Sequence, residues 1–274
     1  MTGADSAGVP WGGRTLPTPG FTGDHGLADP TLEAALQELA QAGSDESAVL
    51  AAHVRVHAAL AQARLLVPVV AVLDTVSTGV DGLHADKSTD MALVTLQARD
   101  GARAVPAFTA LDRLSAWRPD ARPVPAEARR VALSVVAEGA TRVVLDPAGP
   151  VTYVLERAPL WALAQGRAWL GPAEDPAVRE AVADALAPAD VVRAAWVRTT
   201  APSGLRLTLA LPPGLARDTL TRLVTEVSHR LGDDQRVADR VDGVSIVLRG
   251  DGPAAATEPG RPLTLVGRGR EALG

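Results

Sequence analysis

The sequence predicts an α+β fold made of two α/β domains with flexible ends. Apolar residues at helical spacing alternate along the chain with short runs rich in valine and leucine, which have the length and composition of strands. A glycine- and proline-rich stretch, 171–176, interrupts this order past the middle of the chain. Hydrophobic residues make up 47% of the sequence, which is enough to build packed cores.

The chain divides into four predicted segments. Residues 1–28 form an arm rich in glycine and proline, without helical or strand periodicity. Residues 29–170 are expected to form a mixed α/β domain with a β-hairpin. Residues 175–250 are expected to form a smaller domain with the element order αββαβ. Residues 251–274 are expected to form a tail, which could add a short strand at 263–266.

Local signals place the elements of the first domain, and helices are expected to begin at Asp29-Pro30 and at about Asp45. The pair Asp100-Gly101 separates two apolar runs, 91–98 and 102–108, which is a strong signal for a hairpin. Thr109 and the acidic residue three positions later predict a capping box at the start of the next helix. The proline-rich stretch 119–125 is expected to close that unit.

The second domain begins with Asp175-Pro176, because aspartate caps a helix and proline suits its first position. Leucines alternate with polar or small residues over 205–211, which indicates a strand with one apolar face. An amphipathic helix over 215–231 and a strand over 244–248 complete the predicted order.

Composition excludes several classes of function. Lys+Arg 27 against Asp+Glu 32 gives a net charge of -5, which is the wrong sign for a protein that neutralises phosphates, so nucleic acid is disfavoured as a partner. The absence of cysteine removes disulfides and thiolate chemistry. The longest apolar run, 65–73, is too short to span a bilayer. We therefore expect no membrane partner and a cytoplasmic location.

Two histidines have the spacing of a metal site. His53 and His57 are four residues apart on a predicted helix, so both imidazoles share one face. The apolar surroundings and the lack of an identifiable third ligand favour ordinary core histidines. Because no glycine-rich phosphate loop and no nucleophile with an oriented base is found either, we expect no metal, no cofactor and no catalytic residue.

One polar loop, 82–90, is the candidate binding site. It precedes a strand, and loops held by a rigid scaffold often carry binding groups. Its lysine is the only one in the chain. An ion-paired structural loop is the alternative interpretation. The candidate binding residues are His84, Asp86, Lys87, Ser88 and Asp90.

Several motifs taken together resemble the SseB family, named after an enhanced serine sensitivity protein. The similarity spans roughly residues 45–169. It implies a first α/β domain followed by a smaller second one, and it brings no enzymatic activity and no catalytic residue. The motifs are 65–69 (LLVPV), 86–94 (DKSTDMALV), 106–109 (PAFT), Trp117 and 144–150 (VLDPAGP).

From these observations we expect a non-enzymatic cytosolic SseB-like protein that acts as a protein-interaction or regulatory module, with an unidentified protein partner. The alternative is a small-molecule sensor or an enzyme that uses the loop from Asp86 to Asp90. A cleft between the two domains lined by that loop would favour this alternative.

Overall fold

Helices and strands occur together in both halves of the chain, which confirms the α+β class. The computed structural model describes residues 21, 23–72, 90–93, 95–97, 101–200, 203–251 and 259–265. The helices are α1 (Pro30–Gln41), α2 (Glu46–Leu60), α3 (Leu111–Trp117), α4 (Ala128–Ala137), α5 (Arg157–Ala164), α6 (Pro176–Leu186), α7 (Arg217–Asp233) and α8 (Gln235–Ala238). The strands are β1 (Arg64–Val72), β2 (Asp90–Leu93), β3 (Leu96–Gln97), β4 (Arg103–Ala107), β5 (Arg122–Glu127), β6 (Arg142–Leu145), β7 (Tyr153–Leu155), β8 (Ala194–Thr200), β9 (Gly204–Leu211), β10 (Gly243–Gly250) and β11 (Arg261–Pro262).

Three helices begin at the aspartates that the sequence marks. The carboxylates of Asp29, Asp45 and Asp175 each accept hydrogen bonds from backbone N–H groups of the first helical turn. Proline occupies the first position of α1 and α6, where its missing N–H costs nothing. These local signals are therefore sufficient to set the helix starts.

Two sheets meet in the first half of the chain. One has the order β2-β1-β5 with antiparallel pairs, and the other has the order β3-β4-β6-β7. Leu66 and Phe108 join the sheets by exchanging both backbone hydrogen bonds, at 2.7 and 2.8 Å. Helices α1, α2, α4 and α5 bury their apolar sides against these strands in a first core.

The predicted hairpin is confirmed, but the predicted strand 91–98 is wrong as a single element. Its first part, β2, pairs with β1, and its second part, β3, pairs with β4 across the turn at Gly101. The proline-rich stretch 119–125 is also largely a strand, β5. Pro123 stands directly opposite Pro68 in β1, and this pair is of the type that makes no mutual hydrogen bonds, so neither missing N–H is needed there.

A separate core occupies the second half of the chain. Its sheet has the order β10-β9-β8-β11, in which β9 and β10 are parallel and the other pairs are antiparallel. Helices α6, α7 and α8 contribute buried residues to this core, so the predicted αββαβ order is present. The short helix α8 was not predicted in it. The short strand that the tail could add at 263–266 is present two residues earlier, as β11.

Parts of the two predicted ends are attached to the body of the protein. Near the start, the Arg64 guanidinium donates to the Asp24 carboxylate and to the Leu27 carbonyl, and Leu111 donates its N–H to the Gly26 carbonyl. Near the end, β11 adds to β8 within the segment predicted as a tail. Residues 1–20 and 266–274 lie outside the described residues.

The glycine- and proline-rich stretch 171–176 is packed rather than loose. Gly171 and Ala173 are buried, and the Ala173 N–H donates to the hydroxyl of Thr199 at 2.9 Å. That hydroxyl donates in turn to the Glu174 carboxylate at 2.7 Å. One backbone N–H of this connection is thus satisfied by a side chain of β8, and two others by the Gly171 carbonyl. The domain boundary placed there stays a prediction.

A methyl group at Gly171 would have no room. An ideal Cβ at this position lies 2.5 Å from the Glu174 carboxylate and 2.8 Å from Leu50 and Thr199. We expect Gly171→Ala to lower the free energy of unfolding by about 1–3 kcal/mol through overpacking. Gly232→Ala in α7, where no atom lies within 4 Å, should raise it by about 0.5–1 kcal/mol. Urea unfolding of both variants tests this, and equal effects would contradict it.

Candidate functional site

The predicted binding loop lies largely outside the described residues. His84, Asp86, Lys87 and Ser88 are not described, and for Asp90 only the backbone is, at the start of β2 opposite Val72. The role of this loop therefore stays a prediction.

His57 is a core residue. Its ring is 2% exposed, and its Nε2 lies 3.1 Å from the Pro159 carbonyl oxygen. Its Nδ1 lies 3.4 Å from the backbone N–H of Trp169. Because a carbonyl only accepts and an N–H only donates, the ring is neutral with its proton on Nε2. Burial lowers the pKa of His57 to about 4. The imidazole therefore links α2 to α5 and to the segment that follows α5.

His53 lines a cleft of about 290 Å³ between α2 and β8, together with Glu46 and Thr199. Its Nδ1 lies 3.4 Å from the hydroxyl of Tyr153. Burial lowers the pKa of His53 and raises that of Tyr153, so both groups are neutral near pH 7. Within the described part of the chain, no three metal-ligating side chains gather here or elsewhere. The two histidines thus point to different partners.

Thr109 does not cap α3, so the predicted capping box is wrong. The cap position is Ala110, which has no side-chain hydrogen bond. Thr109 is buried, and it donates its N–H and its hydroxyl to the two oxygens of the Asp146 carboxylate, at 2.9 and 2.7 Å. This partner is 37 residues away, which is why the sequence pattern misassigned the residue.

The Asp146 carboxylate is fully buried and is the centre of a polar cluster. Arg113 donates to it at 2.8 Å and also forms an ion pair with Glu33 of α1. Burial of Arg113 opposes its charge, but hydrogen bonds and the charges of Asp146 and Glu33 raise its pKa. Three donors thus satisfy the buried carboxylate, so the cluster ties α1, α3, β4 and β6 together.

The outer edge of β10 is an exposed feature of the second half. β10 is the end strand of its sheet, and no described strand pairs with its outer side. Val244 is 39% exposed, and Ile246 and Leu248 are half-buried. Residues 243–248 carry no charge. Sequence periodicity predicts this strand, but it does not show that the strand lies at an edge.

These features define an α+β protein in which His57, Thr109 and Asp146 link elements of the first half, and a sheet edge is the candidate site. Residues 32–162 match the family model described as the SseB protein N-terminal domain. The chain therefore carries an SseB N-terminal domain, which confirms the resemblance drawn from its motifs. No curated protein and no solved structure matches the chain. Among the helices that the structure describes, none is long and apolar enough to cross a membrane.

The buried neutral state of His57 makes stability depend on pH. In the unfolded chain a histidine titrates near 6.5, whereas the folded pKa of about 4 keeps His57 uncharged. The contribution of the neutral ring to the free energy of unfolding is complete above pH 6.5 and is lost as the pH falls towards 4. Between pH 7.5 and pH 5 we expect wild type to lose about 2 kcal/mol more unfolding free energy than His57→Gln. The exposed His229→Gln is the control, and an unchanged pH slope in His57→Gln would contradict the assignment.

Neutralising the buried carboxylate should be costly. Asp146→Asn keeps a side chain that tolerates the observed φ of 48° but leaves the Arg113 charge without its buried partner. We expect a loss of about 3 kcal/mol in unfolding free energy. Asp120→Asn removes an exposed partner of Arg118 and should change it by less than about 1 kcal/mol. Urea unfolding compares the two, and a small loss for Asp146→Asn would refute the central role of this carboxylate.

Proposed function

We propose that the chain is a non-enzymatic protein-interaction module whose binding surface is the outer edge of β10. Strand addition at an exposed sheet edge is a common way to bind an extended segment of a partner, because the edge offers backbone N–H and C=O groups in a regular row. The observation that carries the proposal is an eight-residue end strand without a described neighbour on its outer side.

The backbone groups available at this edge can be assigned from the register. β10 pairs with β9 in a constant parallel register, and the Asp251 N–H donates to the Leu211 carbonyl at 3.0 Å. Successive residues of a strand direct their backbone groups to opposite sides. The odd-numbered residues of β10 therefore bond to β9, and Val244, Ile246 and Leu248 present their N–H and C=O groups outwards.

This edge lacks the features that usually prevent strand addition. Proteins protect end strands with lysine, proline, bulges or very short length. The register of β10 with β9 runs unbroken from Gly243 to Gly250, and residues 243–248 contain neither proline nor a charged residue. The opposite edge of the same sheet is different, because β11 pairs with β8 there. An end strand that has no described strand on its outer side, and whose residues 243–248 are uncharged, supports binding of an extended partner.

The chemistry of the described side chains supports binding over catalysis. The polar groups that sequence analysis marked, His57 and Thr109, are engaged with the backbone or with Asp146 in the interior. The alternative, a sensor or enzyme built on the loop from Asp86 to Asp90, gains no support from the described residues and stays a prediction.

Affinity purification with matched baits tests the proposal. Ser245 is exposed on β10, and Ser228 is exposed on α7. Ser245→Lys places a charge on the edge strand, whereas Ser228→Lys adds the same charge elsewhere. From a lysate of the organism that encodes the chain, we expect wild type and Ser228→Lys to retain the same protein and Ser245→Lys to lose it. A protein retained equally by all three baits would contradict binding at this edge.

A further inference from the structure

We propose that the partner at this edge is a second copy of the chain, bound by antiparallel pairing of β10 with β10 about a two-fold axis at Ile246. The inference rests on the proposed function, because it uses the same edge. It adds the identity of the partner and the register of the pairing.

The outward backbone groups of β10 match this register. A two-fold axis at Ile246 places this residue opposite its own counterpart and places Val244 opposite Leu248 of the second copy. These are the residues whose N–H and C=O groups point away from β9, so each such pair is hydrogen-bonded on both sides. Between these hydrogen-bonded pairs, Ser245 of one copy faces Val247 of the other copy. Every outward group from Val244 to Leu248 finds a partner.

The side chains also complement one another under this symmetry. Val244, Ile246 and Leu248 share a face with the buried leucines of β9, and Ile246 and Leu248 pack against the second core. Because the two-fold axis pairs apolar residues with apolar residues on that face, the apolar layer continues into the second copy. The 39% exposure of Val244 would fall on pairing, since Leu248 of the second copy lies beside it.

Charge and the position of the first domain favour the antiparallel direction. It places Arg249 opposite the uncharged Gly243 of the second copy, whereas parallel pairing in register would place Arg249 beside Arg249. Arg157 and Ala158 bind Asp242 at the start of β10. Antiparallel pairing therefore puts this contact with the SseB N-terminal domain at opposite ends of the paired strands in the two copies.

Sedimentation equilibrium of the purified full chain measures the self-association. We expect the average mass of wild type to rise with concentration towards twice 28.3 kDa. Ser228→Lys should give the same curve, and Ser245→Lys should shift it to higher concentration. A mass of 28.3 kDa at every concentration would overturn the proposal.

Disulfide trapping tests the register, because the chain contains no cysteine and each variant has a single thiol. Ser245 and Val247 of different copies form a pair without mutual hydrogen bonds, whose Cα atoms lie about 4.5 Å apart, a distance that a disulfide spans. On mild oxidation, a mixture of Ser245→Cys and tagged Val247→Cys should give several-fold more mixed covalent dimer than Ser228→Cys with tagged Val247→Cys. Equal yields would overturn the register and with it the β10 interface.

The combined results separate this inference from the proposed function. If the chain is monomeric but Ser245→Lys still abolishes capture of a partner, another protein binds this edge. The proposal of a second copy is then wrong, and the proposed interaction module stands. A monomeric chain whose bait is insensitive to Ser245→Lys contradicts both.

Discussion

The first half of the structure depends on the charge of one buried carboxylate. Asp146 is fully shielded from solvent, and a carboxylate in that position is tolerated only when donors surround it. The chain supplies them from Thr109 and Arg113, and Arg113 extends the contact to Glu33. The carboxylate and its donors thus join the residues that follow β4 and β6 to α3, and through Arg113 to α1. Two motif segments that carry the family resemblance, 106–109 and 144–150, meet at this point.

This arrangement changes how the polar residues of the SseB N-terminal domain are interpreted. Buried hydroxyl, carboxylate and imidazole groups resemble catalytic components when read along a sequence, but here each is used to satisfy another interior group. His57 is the clearest case, since both ring nitrogens contact backbone groups of other elements. For the described residues, binding is better sought on exposed backbone than in the interior.

Sequence reasoning succeeded where the signal was local. The aspartates that begin α1, α2 and α6 and the glycine turn before β4 act within a few residues, so their positions could be predicted. It failed where the deciding contact is distant. The role of Thr109 depends on Asp146, and the packing of 171–176 depends on Thr199. The position of β10 at the end of its sheet could not be predicted either. β10 pairs in parallel with β9, and α7 lies between these two strands in the chain.

The attachment of β11 to β8 has a consequence for the size of any assembly. A sheet with two open ends can add strands in both directions and grow into a filament, whereas a sheet with one open end has a valence of one. Here the chain occupies the β8 end with its own residues Arg261 and Pro262, and the Leu263 N–H continues the contact with the Ala195 carbonyl at 2.9 Å. If β10 pairs as proposed, growth by strand addition ends after a single step, because the β8 end of the sheet is already paired within the chain.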